Sequence, residues 1–178
     1  MFRAFIASTA LGLMALPALA GPEAEAVIEG AAQSIADPHK GRETLRQSMD
    51  LNTVANFTLG KYARRVSDED RARFAEAFET YLLESFEDQR EKFEDAKITV
   101  IGSKDRSPTD SVVETRVERS GEEAQTVRWR VIEKNGEWRV VDVEVLGLWL
   151  AIEQRAQIAA IMDKPRATID DAIKALDS

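Results

Sequence analysis

The chain has 178 residues, 24 Lys and Arg against 32 Asp and Glu for a formal charge of −8, and no cysteine. This length suits one domain with a sizeable core rather than two ordinary ones, and without cysteine it is neither a disulfide scaffold nor a thiol enzyme. The acidic balance argues against a nucleic-acid partner and against strong adhesion to an anionic bilayer, both of which need a basic surface.

Arg3, the apolar run from Ala4 to Leu16 and the small-x-small triplet Ala18-Leu19-Ala20 have the form of a secretory signal. The run is shorter than the roughly 18 consecutive apolar residues that a membrane span requires. The expected organisation is therefore a signal peptide over 1–20 and a single secreted domain over 21–178. Without Arg3 that domain carries 23 Lys and Arg against 32 Asp and Glu.

Val27, Ile28, Ala31 and Ile35 lie at helical spacing in an Ala-rich stretch, which predicts a first helix within 23–36, stopped by Asp37-Pro38. Leu45 and Met49, then Leu51, Val54, Phe57 and Leu59, predict further helices broken near Met49 or Gly60. Ser67-Asp68-Glu69-Asp70 has the form of a capping box and opens a long helix expected to reach about Phe93. Phe74, Phe78, Leu82 and Phe86 recur every four residues along it and make one apolar face beside Tyr81.

The period then changes from helical to alternating. A strand is predicted over 97–102, followed by a loop over 103–110. In the next strand Val113, Thr115 and Val117 share one face while Glu114, Arg116 and Glu118 take the other. Val127, Trp129 and Val131 alternate with Arg128 and Arg130, and Asn135-Gly136 signals a type I′ hairpin into a fourth strand. That strand changes parity between Val140 and Val141, which requires a bulge or burial on both sides. Leu146 to Ile161 reads as partly helical with a break at Gly147, and a terminal helix follows Pro165 near 168–176. Helices, then four strands, then helices favour an α+β fold with one antiparallel sheet.

The inventory for catalysis is thin. His39 lies in a polar turn, Glu122-Glu123 and Asp170-Asp171 read as hydrated surface pairs, and no dinucleotide, phosphate-loop, nucleophile-elbow or zinc-protease motif occurs. Asp142, within Val140-Val141-Asp142-Val143, is the one carboxylate placed for burial, either as a cavity base or as a hydrogen-bonded structural group.

Asp50-Leu51, Phe57-Thr58-Leu59-Gly60, the ladder Phe74/Phe78/Leu82/Phe86/Phe93, Asn135 to Val143, and Leu146-Gly147 through Arg155-Ala156-Gln157 together resemble the MlaC-type toluene-tolerance family in order and spacing. The resemblance implies a non-enzymatic periplasmic protein, with helices and a twisted antiparallel sheet enclosing an apolar cavity of NTF2-like or cystatin-like appearance. It implies no cofactor, with bound phospholipid as cargo. The partners it implies are an inner-membrane ABC transporter with its MCE-domain ring and an outer-membrane lipoprotein complex, between which the carrier shuttles lipid to maintain outer-membrane asymmetry. A monomer is expected. Trp149, Ala156, Ile158 and Arg90 depart from the family's usual residues, and bulky Trp149 would reshape the cavity.

A diacyl lipid has on the order of thirty methylenes, and at about 0.8 kcal/mol each their exposure would cost roughly 24 kcal/mol, so such cargo requires an internal wall. Side-chain parity nominates Phe57, Leu59, Phe74, Phe78, Leu82 and Phe86 from the helices for that wall. Val113, Val117, Val127, Trp129, Val131 and Val143 are nominated from the sheet. Leu146, Leu148 and Leu150 would close one end, and Lys61, Arg64 and Arg65 would stand near a mouth and donate to phosphate. The competing readings are an NTF2-like cavity enzyme using Asp142 on a small apolar substrate, and a structural envelope adaptor.

Overall fold

The computed structural model describes residues 20–176 except 38, 93 and 94, so the expected leader up to Leu19 and the ladder's Phe93 lie outside the described residues. Helix α1, Ala20–Ala32, begins before residue 23 and ends earlier than position 36. Its small residues let it approach the sheet closely, and Ala24 and Ile28 are buried there. Helices α2, Gly41–Ser48, and α3, Leu51–Leu59, are separated at Met49 and Asp50. Asp50 caps α3 by accepting from the Thr53 N–H at 2.9 Å. Gly60, at φ 57°, turns the chain into a 3-10 segment over Gly60–Arg64, so breaks occur at both expected positions.

Ser67 accepts from the Asp70 N–H and opens α4, Asp68–Asp88, as the capping motif predicts. The helix stops five residues short of Phe93, because its apolar repeat ends at Phe86 and Gln89 leaves helical geometry. Helices α5, Leu150–Met162, and α6, Ile169–Leu176, complete the helical part. No described helix is long and apolar enough to cross a membrane.

The sheet is an antiparallel meander in the order β1-β2-β3-β4-β5. Its strands are β1 Lys97–Ser107, β2 Asp110–Glu118, β3 Gln125–Lys134, β4 Glu137–Val145 and β5 Leu148–Trp149. It has five strands rather than the expected four. The fifth arises at Leu146-Gly147, where φ angles of 53° and 84° reverse the chain in the way Asn135 and Gly136 do at 58° and 83°. The segment expected as a loop over 103–110 instead extends β1 to Ser107, with register shifts beside Gly102 and Arg106 that bend this edge strand.

The parity change in β4 is a bulge. Val131 faces Val140 and Arg130 faces Asp142, leaving Val141 without a partner. The extra residue divides the strand between two cores. Val140 packs with Ala24, Ile28, Val113 and Val131 beneath α1, whereas Val141 turns into a core built from α3 to α6. Met49 packs against both cores and pairs with Val140 at the edge of β4.

Candidate functional site

Directly opposed residues in a sheet share a face, so the strand registers map the wall residue by residue. One row runs across all five strands: Val100, Thr115, Val127, Val145 and Leu148. A second contains Ser103, Val113, Trp129 and Val143, and a third Asp105, Ser111, Val131 and Val140. α1 covers the Val113, Val131 and Val140 part of this face. Trp129, Val143 and Val145 are half-buried. The Trp129 indole N–H donates to Thr115 Oγ1 at 2.8 Å, and that hydroxyl donates to the Val127 carbonyl at 3.1 Å. The ring thereby packs against this cluster with its polar atom satisfied.

All six sheet residues nominated from parity, Val113, Val117, Val127, Trp129, Val131 and Val143, share this face. Val100 and Val145 belong to it as well and were not nominated, although Val100 has the parity of Ile98 and Val145 that of Val143. The opposite face is charged: Arg128 bridges Glu114 and Glu144 at 3.4 and 2.6 Å, and Arg130 pairs with Asp110 at 2.9 Å. Trp149 lies across from Glu144, on that charged side, while Leu148 opposes Val145. The register thus parts Trp149 from the Val127 row.

The helical nominees separate. Leu59, Phe74 and Phe78 are buried in the core of α3 to α6, where the Phe74 and Phe78 rings stack at 6.0 Å and Leu82 packs against the cluster. Phe86 packs on Gly41, where an added Cβ would lie 2.9 Å from its ring. Phe57 is 36% exposed and lies under the Arg155 guanidinium at 5.0 Å from the ring centre. Leu146 is 78% exposed at the tip of the β4–β5 turn, beside the exposed Leu148, Leu150 and Ile152.

Arg155 also fills the space above Gly60, where a Cβ would lie 2.8 Å from Nε. Two segments nearly a hundred residues apart, Phe57 to Gly60 and Arg155 to Gln157, therefore meet. Of the three bases nominated for phosphate, Lys61 binds Asp163 at 2.6 Å, Arg65 stands over the Tyr62 ring, and Arg64 makes no ion pair among the described residues.

Asp142 performs a structural task. Its Oδ1 accepts from the Val143 N–H at 2.8 Å and from the Ala151 N–H at 2.9 Å, capping α5, whose own cap residue Trp149 supplies no side-chain acceptor. Burial pushes its carboxyl above the ordinary range, against the pull of those N–H groups and of Arg130.

The domain is α+β, with one apolar sheet face under α1, a second face that is charged over β2 and β3 and meets the helical core at Val141 and Ile132, and that core built from α3 to α6. The particular family follows from sequence: residues 31–178 match the profile of the MlaC protein family, and the chain belongs to it. None of the curated proteins matches the chain. Among solved structures, a phospholipid-binding protein from Ralstonia solanacearum, in complex with a phospholipid, is similar at 20% identity, with a TM-score of 0.75 over 87% of this chain and 95% of that one. This likeness shows a shared fold.

Proposed function

We propose that the protein is a periplasmic carrier that binds the acyl chains of a phospholipid against the apolar sheet face. It would pass lipid between an inner-membrane ABC transporter bearing an MCE-domain ring and an outer-membrane lipoprotein complex, maintaining outer-membrane lipid asymmetry. The observation that carries the reading is the five-strand row from Val100 to Leu148, in a chain of the MlaC family. A relative of the same fold that holds a phospholipid lends it further support.

The physical logic is that acyl chains contribute binding energy only where water is excluded, at about 25 cal/mol per Å² buried. The valines supply that area with little loss of side-chain freedom on ordering, and Trp129 is fixed before the lipid arrives. The exposed Leu146 and Leu148 continue the row toward solvent and give a chain an apolar path on and off. The leader at 1–20 would deliver the domain to the compartment where such transfer is needed.

The enzyme reading would require Asp142 to be available to a substrate. Its shared oxygen already caps α5, which favours binding over catalysis. Native mass spectrometry of protein purified without detergent provides the test. A mass increment of one phospholipid is expected, and a clean apo mass after gentle handling would reject the carrier.

A further inference from the structure

The chain is acidic, and most of its described arginines are neutralised. Arg46, Arg71, Arg73, Arg116, Arg119, Arg128, Arg130 and Arg139 all pair with carboxylates. Cations without an ion pair among the described residues occur singly at Arg42, Lys97, Lys104 and Arg155, but they gather at the helical end, where Arg64 and Arg65 at the end of the 3-10 segment, Lys164 and Arg166 in the α5–α6 turn and Lys174 in α6 make none.

The nearby acids hydrogen-bond elsewhere and meet these cations only through space. Asp163 accepts from Tyr62 and from Lys61 and attracts Arg65 at longer range, and Asp171, which lines the groove, accepts from the Thr168 N–H at 2.7 Å and its hydroxyl at 3.0 Å and attracts Lys174 and Lys164 at longer range. Lys164, Arg166 and Lys174 line a groove of about 490 Å³ with an apolar floor that includes Ile161, Pro165 and Ala167. Arg166 is held there at φ 65°, a left-handed conformation that L side chains seldom adopt and that persists only where the surroundings impose it. The groove of about 450 Å³ between α2, α3 and the β3–β4 turn offers a contrast, since its cations Arg46, Lys134 and Arg139 are paired with Glu79, Asp50 and Glu137.

From the three cations that line this groove against the single carboxylate of Asp171 we infer that the α5–α6 groove is a docking surface for an acidic segment of a partner protein. Separate carboxylate side chains fit it better than a bilayer does. The groove is concave, so a flat membrane would not reach its floor, and Asp163 and Asp171 interrupt the cations in a way that a continuous anionic plane would meet unfavourably. It lies at the end of α5 opposite the exposed leucines of the β4–β5 turn, about 18 Å away at 1.5 Å per residue. A partner held at the groove would leave that turn free.

The test uses fluorescein-labelled octaglutamate, with phosphatidylglycerol vesicles and inorganic phosphate as separate probes of the mature protein. Octaglutamate is expected to bind, to weaken as salt rises, and to lose at least about tenfold in affinity in Lys164→Ala/Arg166→Gly/Lys174→Ala. Arg166→Gly removes the charge at a backbone position that glycine adopts freely, so the variant keeps its fold, as its thermal transition will show. Lys40→Ala/Lys97→Ala/Lys104→Ala makes the same change in net charge elsewhere and is expected to bind as the parent does. The inference is overturned by an equal loss in that control, by absence of octaglutamate binding, or by vesicle or phosphate binding that depends on the same three residues while octaglutamate binding does not. Phospholipid occupancy, read by native mass in the same preparations, is expected to be unchanged in the groove variant, so failure of the docking surface is distinguishable from failure of the lipid site.

Discussion

The two cores of this molecule are built on different terms. In the core of α3 to α6, Phe74, Phe78 and Leu59 are shielded from solvent, and the Phe78 ring meets Phe74 and Tyr81 at 6.0 and 6.1 Å. Beneath α1, the sheet face is made of short branched side chains and Trp129, of which several are half-buried. The difference teaches that the most conspicuous apolar pattern in the chain, the aromatic ladder, is spent on internal packing. The plainer alternating valines form the face that the proposed function uses for the lipid.

On the proposed function, this contrast assigns Phe78 to stability and Val143 to the lipid wall, and each assignment can be tested. Phe78→Ala is expected to lower unfolding free energy by about 3–5 kcal/mol, the usual cost of emptying a closed aromatic site. In urea denaturation the midpoint should fall, while phospholipid per folded molecule remains that of the parent. Lost lipid with unchanged stability would move the ladder into the cavity.

Val143→Asp provides the converse. A carboxylate on the half-buried sheet face costs several kcal/mol to any acyl chain laid over it, so native mass spectrometry should find the folded variant empty. Retained lipid in that variant would take the Trp129 row out of the site.

The smallest effect concerns the two carboxylates that fasten helices to the sheet. Burial opposes ionisation of Asp50, but the Thr53 hydroxyl and N–H and Lys134 outweigh it and hold its carboxyl below the ordinary range. At Asp142 burial prevails and the carboxyl is pushed up. By linkage, Asp50 contributes stability above its unfolded value of 3.8, and that contribution is lost as pH falls through its lower folded value. Asp142 has the opposite sign: its cost grows as pH rises from 3.8 toward the raised folded value and vanishes below 3.8. Thermal midpoints of the parent, Asp50→Asn and Asp142→Asn across the acid range should therefore diverge. The parent's advantage over Asp50→Asn shrinks on acidification, whereas its standing against Asp142→Asn improves. Parallel curves would remove both assignments.

Local chemistry in the chain was enough to determine the helix cap at Ser67, the Asn135-Gly136 turn, the alternation of β2 and β3, and the disturbance at Val140-Val141. Each rests on neighbours a few residues apart, where backbone sterics and side-chain periodicity act directly. The ordered motifs from Asp50 to Gln157 likewise carried the family.

Other features needed the tertiary structure. Leu146-Gly147 does not look like a hairpin turn, because leucine rarely adopts a positive φ; β5 forms there under constraint from α5 and the edge of β4. The Phe ladder has the same periodicity whether it lines a ligand or meets another helix, and only the packing of α3, α5 and α6 against Phe74, Phe78 and Leu82 shows these three in a helical core. Parity likewise permits Trp149 on either side of the sheet until its register with Glu144 is known. Charge shows the same limit: composition counts lysines and arginines, but which of them remain unneutralised depends on where carboxylates from distant segments arrive.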